Sequence, residues 1–438
     1  MPVSDSDSET QFRDSLRALS HPLRHRDDLD PLIESLAGAR IVMLGEASHG
    51  TSEFYLWRAA ISRRLIEEHG FDFIAVEGDW PDCYRVNRYV KGYPQSGERA
   101  ETVLRGFDRW PTWMWANWEM VAFAEWLRKH NAGSPGRPVG FYGLDVYSLW
   151  ESLDAIMQHL RHNDPQSIPA AERVFNCFQP YGRDEQRYAR HTAVSKHDCA
   201  DEVIGLLLQL ARRHPPFDSD PEGDFDAEQN AHVMVSAERY YRTMMAGGAG
   251  SWNLRDSHMM ETLNRLMQHH GPDTRGIVWA HNTHIGDARA TDMRHVGMHN
   301  IGQLAREEWG SQRVRLVGFG CHRGSVIAGG HWGADMQRMA LPPSPEPSWE
   351  GTLHAALGDN GMLLLDRVGD RREFSTARGH RAVGVVYDPR RERGNYVPTE
   401  LARRYDAFVY LDETRALHPL HIEATESATP PDTYPWGF

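Results

Sequence analysis

Acidic and histidine side chains follow the ends of several short apolar segments in this sequence. The residues are Glu46, His49, Glu77, His281 and His284. A carboxylate that bonds one ring nitrogen of a histidine orients the ring and stabilises the charge that the ring gains on taking a proton. Any one of these side chains has a structural explanation, because carboxylates cap helices and buried histidines form hydrogen bonds. Their convergence instead predicts a single site for acid–base chemistry.

His49 is the predicted general base. It lies in a glycine-flanked turn just before a predicted helix. The positive end of a helix dipole favours the neutral ring, whereas a carboxylate such as that of Glu46 favours the charged ring. The sequence leaves open which effect prevails. Because no G-x-S-x-G, H-E-x-x-H, P-loop or EF-hand motif is present, direct attack by a water molecule that His49 activates is the simplest mechanism.

Other side chains are weaker candidates for the same site. Arg255, at the start of the helix predicted before residues 276–280, can hold a carboxylate or a developing oxyanion. Asp145 and His322 follow two further predicted strands, and Arg58 is interpreted as part of a surface ion pair. Four tryptophans either line an apolar pocket or pack a contact between domains. They are Trp110, Trp113, Trp115 and Trp118.

The apolar segments are short and rich in β-branched residues, and longer stretches with helical periodicity separate them, which is typical of alternating strands and helices. Strands are predicted at 40–44, 71–76, 139–144, 276–280, 314–319, 361–365, 382–387 and 407–411. Between the first two, a helix is predicted over 52–69, with Thr51 or Ser52 as its cap and Gly70 as its stop. A right-handed crossover makes these strands parallel, so their carboxyl ends share the sheet edge where ligands bind.

The predicted fold class is α/β, with a central, mostly parallel sheet flanked by helices and a large helical insertion over the active-site cleft. The predicted division is an N-terminal extension (1–30), a first part of the α/β core (31–146), the helical insertion (147–270), a second part of the core (271–420) and a C-terminal tail (421–438). Prolines and acids indicate an exposed loop at 215–225 and a connector at 341–347.

Composition excludes several classes of protein. The 438 residues are 40% hydrophobic and 25% charged, which argues against wholesale disorder. A formal net charge of −13 argues against a nucleic-acid partner and an anionic membrane. The polar N-terminus and the lack of a long apolar run predict a cytoplasmic protein. Four cysteines without a CxxC pair predict neither a disulfide framework nor a zinc ribbon, and they favour a reducing compartment.

The segments GEASHGTSEFYLWR, VEGDWPDCYRVNRYV, NLRDSHM and WAHNTHIG resemble the erythromycin esterase family, and the resemblance extends over about residues 30–420. It implies an α/β core with a helical lobe over a cleft. It also implies a metal-independent hydrolase that opens the macrolactone of 14-membered macrolides with a histidine-activated water. In these terms His49 is the general base, Glu46 and Glu77 are the site carboxylates, and Arg255 is the arginine of the helix before the second histidine motif. His281 or His284 stabilises the tetrahedral intermediate.

The expected activity is therefore that of a bacterial carboxylic ester hydrolase that needs no cofactor. Its expected partner is a small ester or lactone; a macrolide, and with it antibiotic resistance, is one possibility. One alternative is a metal-dependent hydrolase, because the five carboxylate and histidine residues are also reasonable ligands for zinc or manganese. The other is a binding protein without catalytic activity. The sequence leaves the oligomeric state and the presence of a lid open.

Overall fold

A central sheet dominates the computed structural model, which describes residues 5–134, 136–195, 197–211, 220–245, 248–368 and 371–421. The strands are β1 (Ser20–Pro22), β2 (Ile41–Leu44), β3 (Phe73–Asp79), β4 (Gly140–Asp145), β5 (Gly276–Trp279), β6 (Val314–Gly329), β7 (Met336–Leu341), β8 (Gly361–Leu364), β9 (Arg378–Arg381), β10 (Tyr396–Thr399) and β11 (Ala407–Thr414). The sheet order is β1-β8-β11-β6-β2-β5-β3-β4, with β7 paired to β6, and β9 pairs with β10 separately. Every neighbouring pair from β11 to β4 is parallel, which confirms the predicted fold class.

Helices cover both faces of this sheet. They are α1 (Asp5–Leu19), α2 (Asp30–Leu36), α3 (Ser52–His69), α4 (Trp80–Val90), α5 (Ala100–Leu104), α6 (Trp118–Gly133), α7 (Leu149–Asn163), α8 (Ile168–Phe178), α9 (Glu185–Val194), α10 (Ala200–Leu210), α11 (Gly223–Met244), α12 (Ala249–His270), α13 (Asn282–Ile285), α14 (Ile301–Trp309), α15 (Trp349–Leu357) and α16 (Leu401–Arg404). Alternate residues of β2 belong to different apolar clusters: Ile41 and Met43 to one, Val42 and Leu44 to the other. Both faces of the strand are therefore buried, as in a doubly covered parallel sheet.

The unit from β2 to β3 positions the first candidate residues. Helix α3 has the predicted bounds, with Thr51 as its N-cap and Gly70 as its left-handed C-cap at φ 64°. Glycine adopts that conformation without the steric cost that a side chain brings. Strand β5 lies between β2 and β3 and is parallel to both, so all three carboxyl ends lie at one edge of the sheet.

Between β4 and β5 the described residues form helices α7 to α12 and no strand. Helices α7 to α11 share an apolar cluster of their own, which includes Leu153, Ile156 and Met234, whereas the buried apolar residues of α12 pack with the sheet. The loop predicted at 215–225 lies partly outside the described residues, and its last part instead begins α11 at Gly223. The predicted tail also lies outside them, except for residue 421. The N-terminal extension packs on the core, since β1 pairs with β8 and Leu16 is fully buried.

Two strand predictions are wrong in a way that affects the site. Residues 382–387 form isolated bridges, among them Val383 with Ser48, because this segment crosses the end of the sheet. Strand β6 does not end at residue 319 but continues to Gly329, bending at Gly324 where φ is 148° and pairing with β7 beyond it. His322 therefore lies within a strand rather than after one.

The cysteine prediction also needs correction. Cys177 and Cys199, which are 22 positions apart, form a disulfide because the fold packs α8 against the start of α10. Sequence spacing does not reveal such a pair, whereas a Cα separation of 5.9 Å permits it. Cys83 and Cys321 are buried free thiols. Within the described residues, no helix combines the length and apolar character needed to cross a bilayer.

Candidate active site

His49 is held between two carboxylates at the carboxyl edge of the sheet. Its Nδ1 lies 2.8 Å from Oε1 of Glu46, and its Nε2 lies 4.0 Å from Oε1 of Glu77. All three residues are buried. Because Glu46 accepts the Nδ1 proton, the neutral ring presents Nε2 as its proton acceptor. The predicted pairing of His49 with Glu46 is present in the structure.

Arg58 anchors Glu46 from the other side. Its Nη2 donates to Oε2 of Glu46 at 2.6 Å, and its guanidinium lies 4.4 Å from the ring centre of Tyr55 and 4.9 Å from that of Trp279. The side chain is fully buried, so the interpretation of Arg58 as a surface ion pair is wrong. A buried guanidinium needs both a carboxylate and aromatic faces to offset lost hydration, and this site provides them.

The carboxylate of Glu77 contacts four of the other candidate residues: Arg255, His281, His284 and His49 all lie within 4.0 Å of it. Its Oε1 accepts from Nη2 of Arg255 at 2.7 Å, and its Oε2 accepts from the backbone N–H of His281 at 2.8 Å. Burial alone would raise the pKa of Glu77, but its interactions with His284 and Arg255 hold it well below its usual range. The side chain is therefore a carboxylate at neutral pH, with one oxygen facing His49.

His284 is a second histidine oriented by a carboxylate. Its Nδ1 lies 3.0 Å from both oxygens of Asp256, its Nε2 lies 3.4 Å from Oε1 of Glu77, and its ring stacks on Trp252. Nη1 of Arg255 lies 3.0 Å from Nε2 of His284. Burial and Arg255 would lower the pKa of His284, but Asp256 and Glu77 outweigh them and raise it to about 9.

His281 is the neutral member of the histidine pair. Its Nδ1 accepts from the backbone N–H of Thr283 at 3.3 Å, so the proton lies on Nε2. Burial lowers the pKa of His281 well below its usual range. Within the described residues, Nε2 makes no hydrogen bond of normal geometry. The backbone of Ala47 is nevertheless close enough to favour the protonated ring. The ring centre lies 4.9 Å from that of His49.

Arg255 joins the helical stretch to the sheet. It lies in the second turn of α12 rather than at its first residue. Besides Glu77, it binds Asp145, with Nε at 2.9 Å from Oδ1 and Nη2 at 2.6 Å from Oδ2. Asp145 thus belongs to the cluster. His322 does not, because its ring stacks on His354 with the ring centres 3.8 Å apart.

A cavity of about 150 Å³ opens on His49, Glu77, Asp145 and Arg255. Its aromatic wall includes Trp110, Trp115 and Trp332, with the rings of Trp110 and Trp332 4.6 Å apart. The four tryptophans that are close in sequence therefore have two different environments. Trp110 and Trp115 line the cavity, whereas Trp113 and Trp118 pack in or against the apolar core.

The five predicted carboxylate and histidine residues do not fit a metal ion as they are arranged. Both carboxylates already bind arginines, Glu46 with Arg58 and Glu77 with Arg255. Among the described residues, three potential ligand atoms lie within 4.8 Å of one another only at Glu222, His269 and His270. There the ammonium group of Lys91, 2.8 and 2.7 Å from the two oxygens of Glu222, already supplies the positive charge.

Sequence reasoning missed two residues that support the histidines. Asp256 orients His284, and Trp252 covers its ring. The signal was present in the sequence, because positions 252, 255 and 256 lie on one face of a helix, and Arg255 was already a candidate. The burial of Arg58 left no comparable signal, since an arginine in a predicted helix is usually exposed.

The fold and the site define an α/β protein with a buried cluster of histidines and carboxylates at the carboxyl edge of a parallel sheet. The model of the erythromycin esterase family matches residues 66–414, and the chain belongs to that family. It is thus a member of a family of erythromycin esterase-like hydrolases.

Known relatives are distant in sequence. The chain is 24% identical to erythromycin esterase type II of Escherichia coli over 286 residues, which is 61% of this chain and 65% of that protein. A crystal structure of a succinoglycan biosynthesis protein has a TM-score of 0.77 at 18% identity, covering 95% of this chain and all of that one. A mutant of the erythromycin esterase EreC in its open conformation has a TM-score of 0.64 at 19% identity, covering 90% and 95%. At these identities, the structural likeness concerns the fold alone.

Proposed function

We propose that this protein hydrolyses a carboxylic ester or lactone by direct attack of a water molecule that His49 deprotonates. The observation that carries the proposal is the geometry of the His49 ring. Glu46 accepts the Nδ1 proton at 2.8 Å, while Nε2 lies beside the cavity, 4.0 Å from a carboxylate oxygen of Glu77. A water molecule bound by Nε2 and this oxygen is oriented and can pass its proton to the ring.

The other members of the cluster have complementary roles. The ring charge that His49 gains is stabilised by Glu46, which Arg58 holds in place. Arg255, which lines the cavity, is the N–H donor best placed for the oxyanion of the tetrahedral intermediate, whereas His281 does not line the cavity. Their interactions with Glu77 allow His284 and Arg255 to keep it a carboxylate. When the intermediate collapses, the proton on His49 goes to the leaving alkoxide, so the acid, the alcohol and the free ring result.

The test is hydrolysis by chelator-treated protein in H₂¹⁸O, with macrolides, other lactones and simple acyl esters as the panel. We expect one ¹⁸O atom in the carboxylate product of the wild type and a loss of about 10³-fold in kcat in His49→Ala. His322→Ala is the matched control, because it removes a buried histidine that lies outside the cluster. Full activity in His49→Ala contradicts the assignment.

The same panel separates the two alternatives. Turnover that appears only after zinc or manganese is restored favours a metal-dependent hydrolase, although Glu46 and Glu77 must then release their arginines. Binding measured by equilibrium dialysis without any product favours a binding protein. Which compound on the panel is cleaved identifies the substrate class, and a macrolide is one of the compounds on it.

A further inference from the structure

A second, fully buried pair of a carboxylate and a histidine lies behind the site. Nδ1 of His380 is 2.5 Å from Oε1 of Glu350, and both residues are completely inaccessible to solvent. Neither residue lines the cavity described above. Removing two ionisable side chains from water is costly unless both form hydrogen bonds. The other ring nitrogen of His380, Nε2, therefore also needs a hydrogen-bond partner.

That partner is Asn282, the residue after His281. Its Nδ2 lies 3.2 Å from Nε2 of His380 and 2.6 Å from the carbonyl oxygen of Phe319, while the N–H of Phe319 donates to its Oδ1 at 3.2 Å. The two contacts with Phe319 fix which end of the amide is nitrogen. Asn282 must then donate to His380, so Nε2 of His380 is an acceptor and its Nδ1 carries the proton.

Asn282 connects this pair with the residues that orient His49. Its backbone N–H donates to the carbonyl oxygen of Glu46 at 2.9 Å. Its side-chain amide lies directly on Gly45, where an added Cβ would come within 2.1 Å of Oδ1. The same residue begins α13, the short helix that carries His284, and follows His281. Asn282 thus contacts the turn after β2 through its backbone and its side chain, and its side chain also forms hydrogen bonds with β6.

We propose that Asn282 is a positioning residue for Glu46, His281 and His284, and that the buried pair of His380 and Glu350 holds its amide through the acceptor Nε2 of His380. This inference rests on the proposed hydrolytic role of His49 for its kinetic consequence. Small displacements of catalytic groups cost up to about 100-fold in rate, so the acceptor on His380 matters to turnover without contacting substrate.

Two amide substitutions at one position separate the two bonds of His380. His380→Gln places an oxygen where Nε2 stands, keeping the acceptor for Asn282 and losing the donor to Glu350. His380→Asn places an NH₂ group where Nδ1 stands, keeping the donor and losing the acceptor. His380→Gln loses the shorter bond, to a buried carboxylate, and His380→Asn loses the longer bond, to an amide, so we expect the thermal unfolding midpoint to fall more in His380→Gln.

The kinetic prediction differs between the variants. We expect kcat to fall about 10-fold to 100-fold in His380→Asn with KM within about threefold of the wild type, and both constants to stay within about threefold in His380→Gln. If the role of His380 is purely structural, activity follows stability and His380→Gln is impaired at least as much as His380→Asn; that result overturns the proposal. If His380→Asn does not fold, His380→Phe removes the same acceptor while keeping the ring volume, and its kcat must fall likewise.

A measurement without substrate separates this inference from the proposed function. Diethyl pyrocarbonate modifies accessible neutral histidine nitrogens, and peptide mass spectrometry gives its rate at His49. We expect the rate to change at least about threefold in His380→Asn and to remain that of the wild type in His380→Gln. Equal rates in all three proteins overturn the positioning role. A wild type that hydrolyses nothing on the panel contradicts the esterase proposal alone.

Discussion

Two buried clusters of carboxylates and histidines lie at opposite ends of helix α12. The Glu77 cluster contains Glu46, His49, Glu77, Asp145, Arg255, His281 and His284, and the Glu222 cluster contains Lys91, Tyr142, Glu222, His269 and His270. Arg255 comes from the second turn of α12, and His269 and His270 are its last residues. The clusters therefore offer similar groups, although His269 and His270 are only partly buried, and the difference that matters for function is chemical.

The two clusters differ in whether a ring nitrogen or carboxylate oxygen remains available to a ligand. Both oxygens of Glu222 bind the ammonium group of Lys91, and Asn87 and Tyr142 add further donors at 2.8 Å. In the Glu77 cluster, Nε2 of His49 lies 4.0 Å from its nearest carboxylate oxygen, and His49 lines the cavity. Burial and ionisable groups are thus common to both clusters, whereas an oriented ring nitrogen beside a cavity distinguishes the candidate active site.

The same substitution in both clusters tests this distinction most severely. Glu77→Gln removes the charge that holds Arg255 and faces His49, and we expect kcat to fall about 10²-fold to 10⁴-fold. Initial rates on the ester that the wild type cleaves measure it, and circular dichroism checks that the variant is folded. Wild-type kcat in this variant removes Glu77 from the mechanism.

Glu222→Gln is expected to have the opposite consequence. It leaves the ammonium group of Lys91, whose side chain is 2% exposed, without its counterion, which costs about 3–5 kcal/mol in the free energy of unfolding. Turnover per folded molecule stays unchanged, because the Glu222 cluster lies at the opposite end of α12 from the Glu77 cluster. Urea unfolding measures the first quantity, and initial rates divided by the folded fraction from circular dichroism measure the second. Loss of kcat at full stability would show that the clusters share a function.

Arg58 sharpens the comparison within the Glu77 cluster. Arg58→Lys keeps the positive charge beside Glu46 but loses the planar group that lies against Tyr55 and Trp279, and we expect kcat to fall about 10-fold at nearly constant KM. Arg58→Met also loses the charge and is expected to fall about 100-fold. Steady-state kinetics on both variants give the order. A larger loss in Arg58→Lys than in Arg58→Met contradicts an orienting charge.

Sequence patterns predicted most of the sheet because its strands are short, apolar and parallel. They also placed His49, Glu77 and His281 at one edge, since connections between parallel strands are right-handed. The strand predicted at 382–387 was wrong because an apolar segment can cross the end of a sheet as well as join it. His322 was misplaced because β6 continues past Phe319 through the bend at Gly324.

Residues that reach the site from the side of a helix were harder to predict. Arg58 and Asp256 contact it through side chains on helices, and their direction depends on how each helix packs. The disulfide between Cys177 and Cys199 depends on packing in the same way. Sequence spacing gives the face of a helix, whereas the depth at which that face is buried is set by tertiary contacts.

Asp79, at the rim of the Glu77 cluster, is predicted to make stability depend on pH. It faces Asp145 across β3 and β4, its Oδ1 has no hydrogen-bond partner in the described part of the chain, and Arg109 lies 3.3 Å from Oδ2. Burial raises the pKa of Asp79 to about 7, with Asp145 adding to the shift and Arg109 opposing it. The unfolded chain loses this proton first, so the contribution of Asp79 to stability falls as pH rises from about 4 to 7 and then levels off.

We expect Asp79→Asn to be more stable than the wild type by about 1–3 kcal/mol at pH 8, with the gain shrinking toward pH 4. Urea unfolding of both proteins across this range measures the difference, and a gain that does not depend on pH contradicts a buried, partly protonated Asp79.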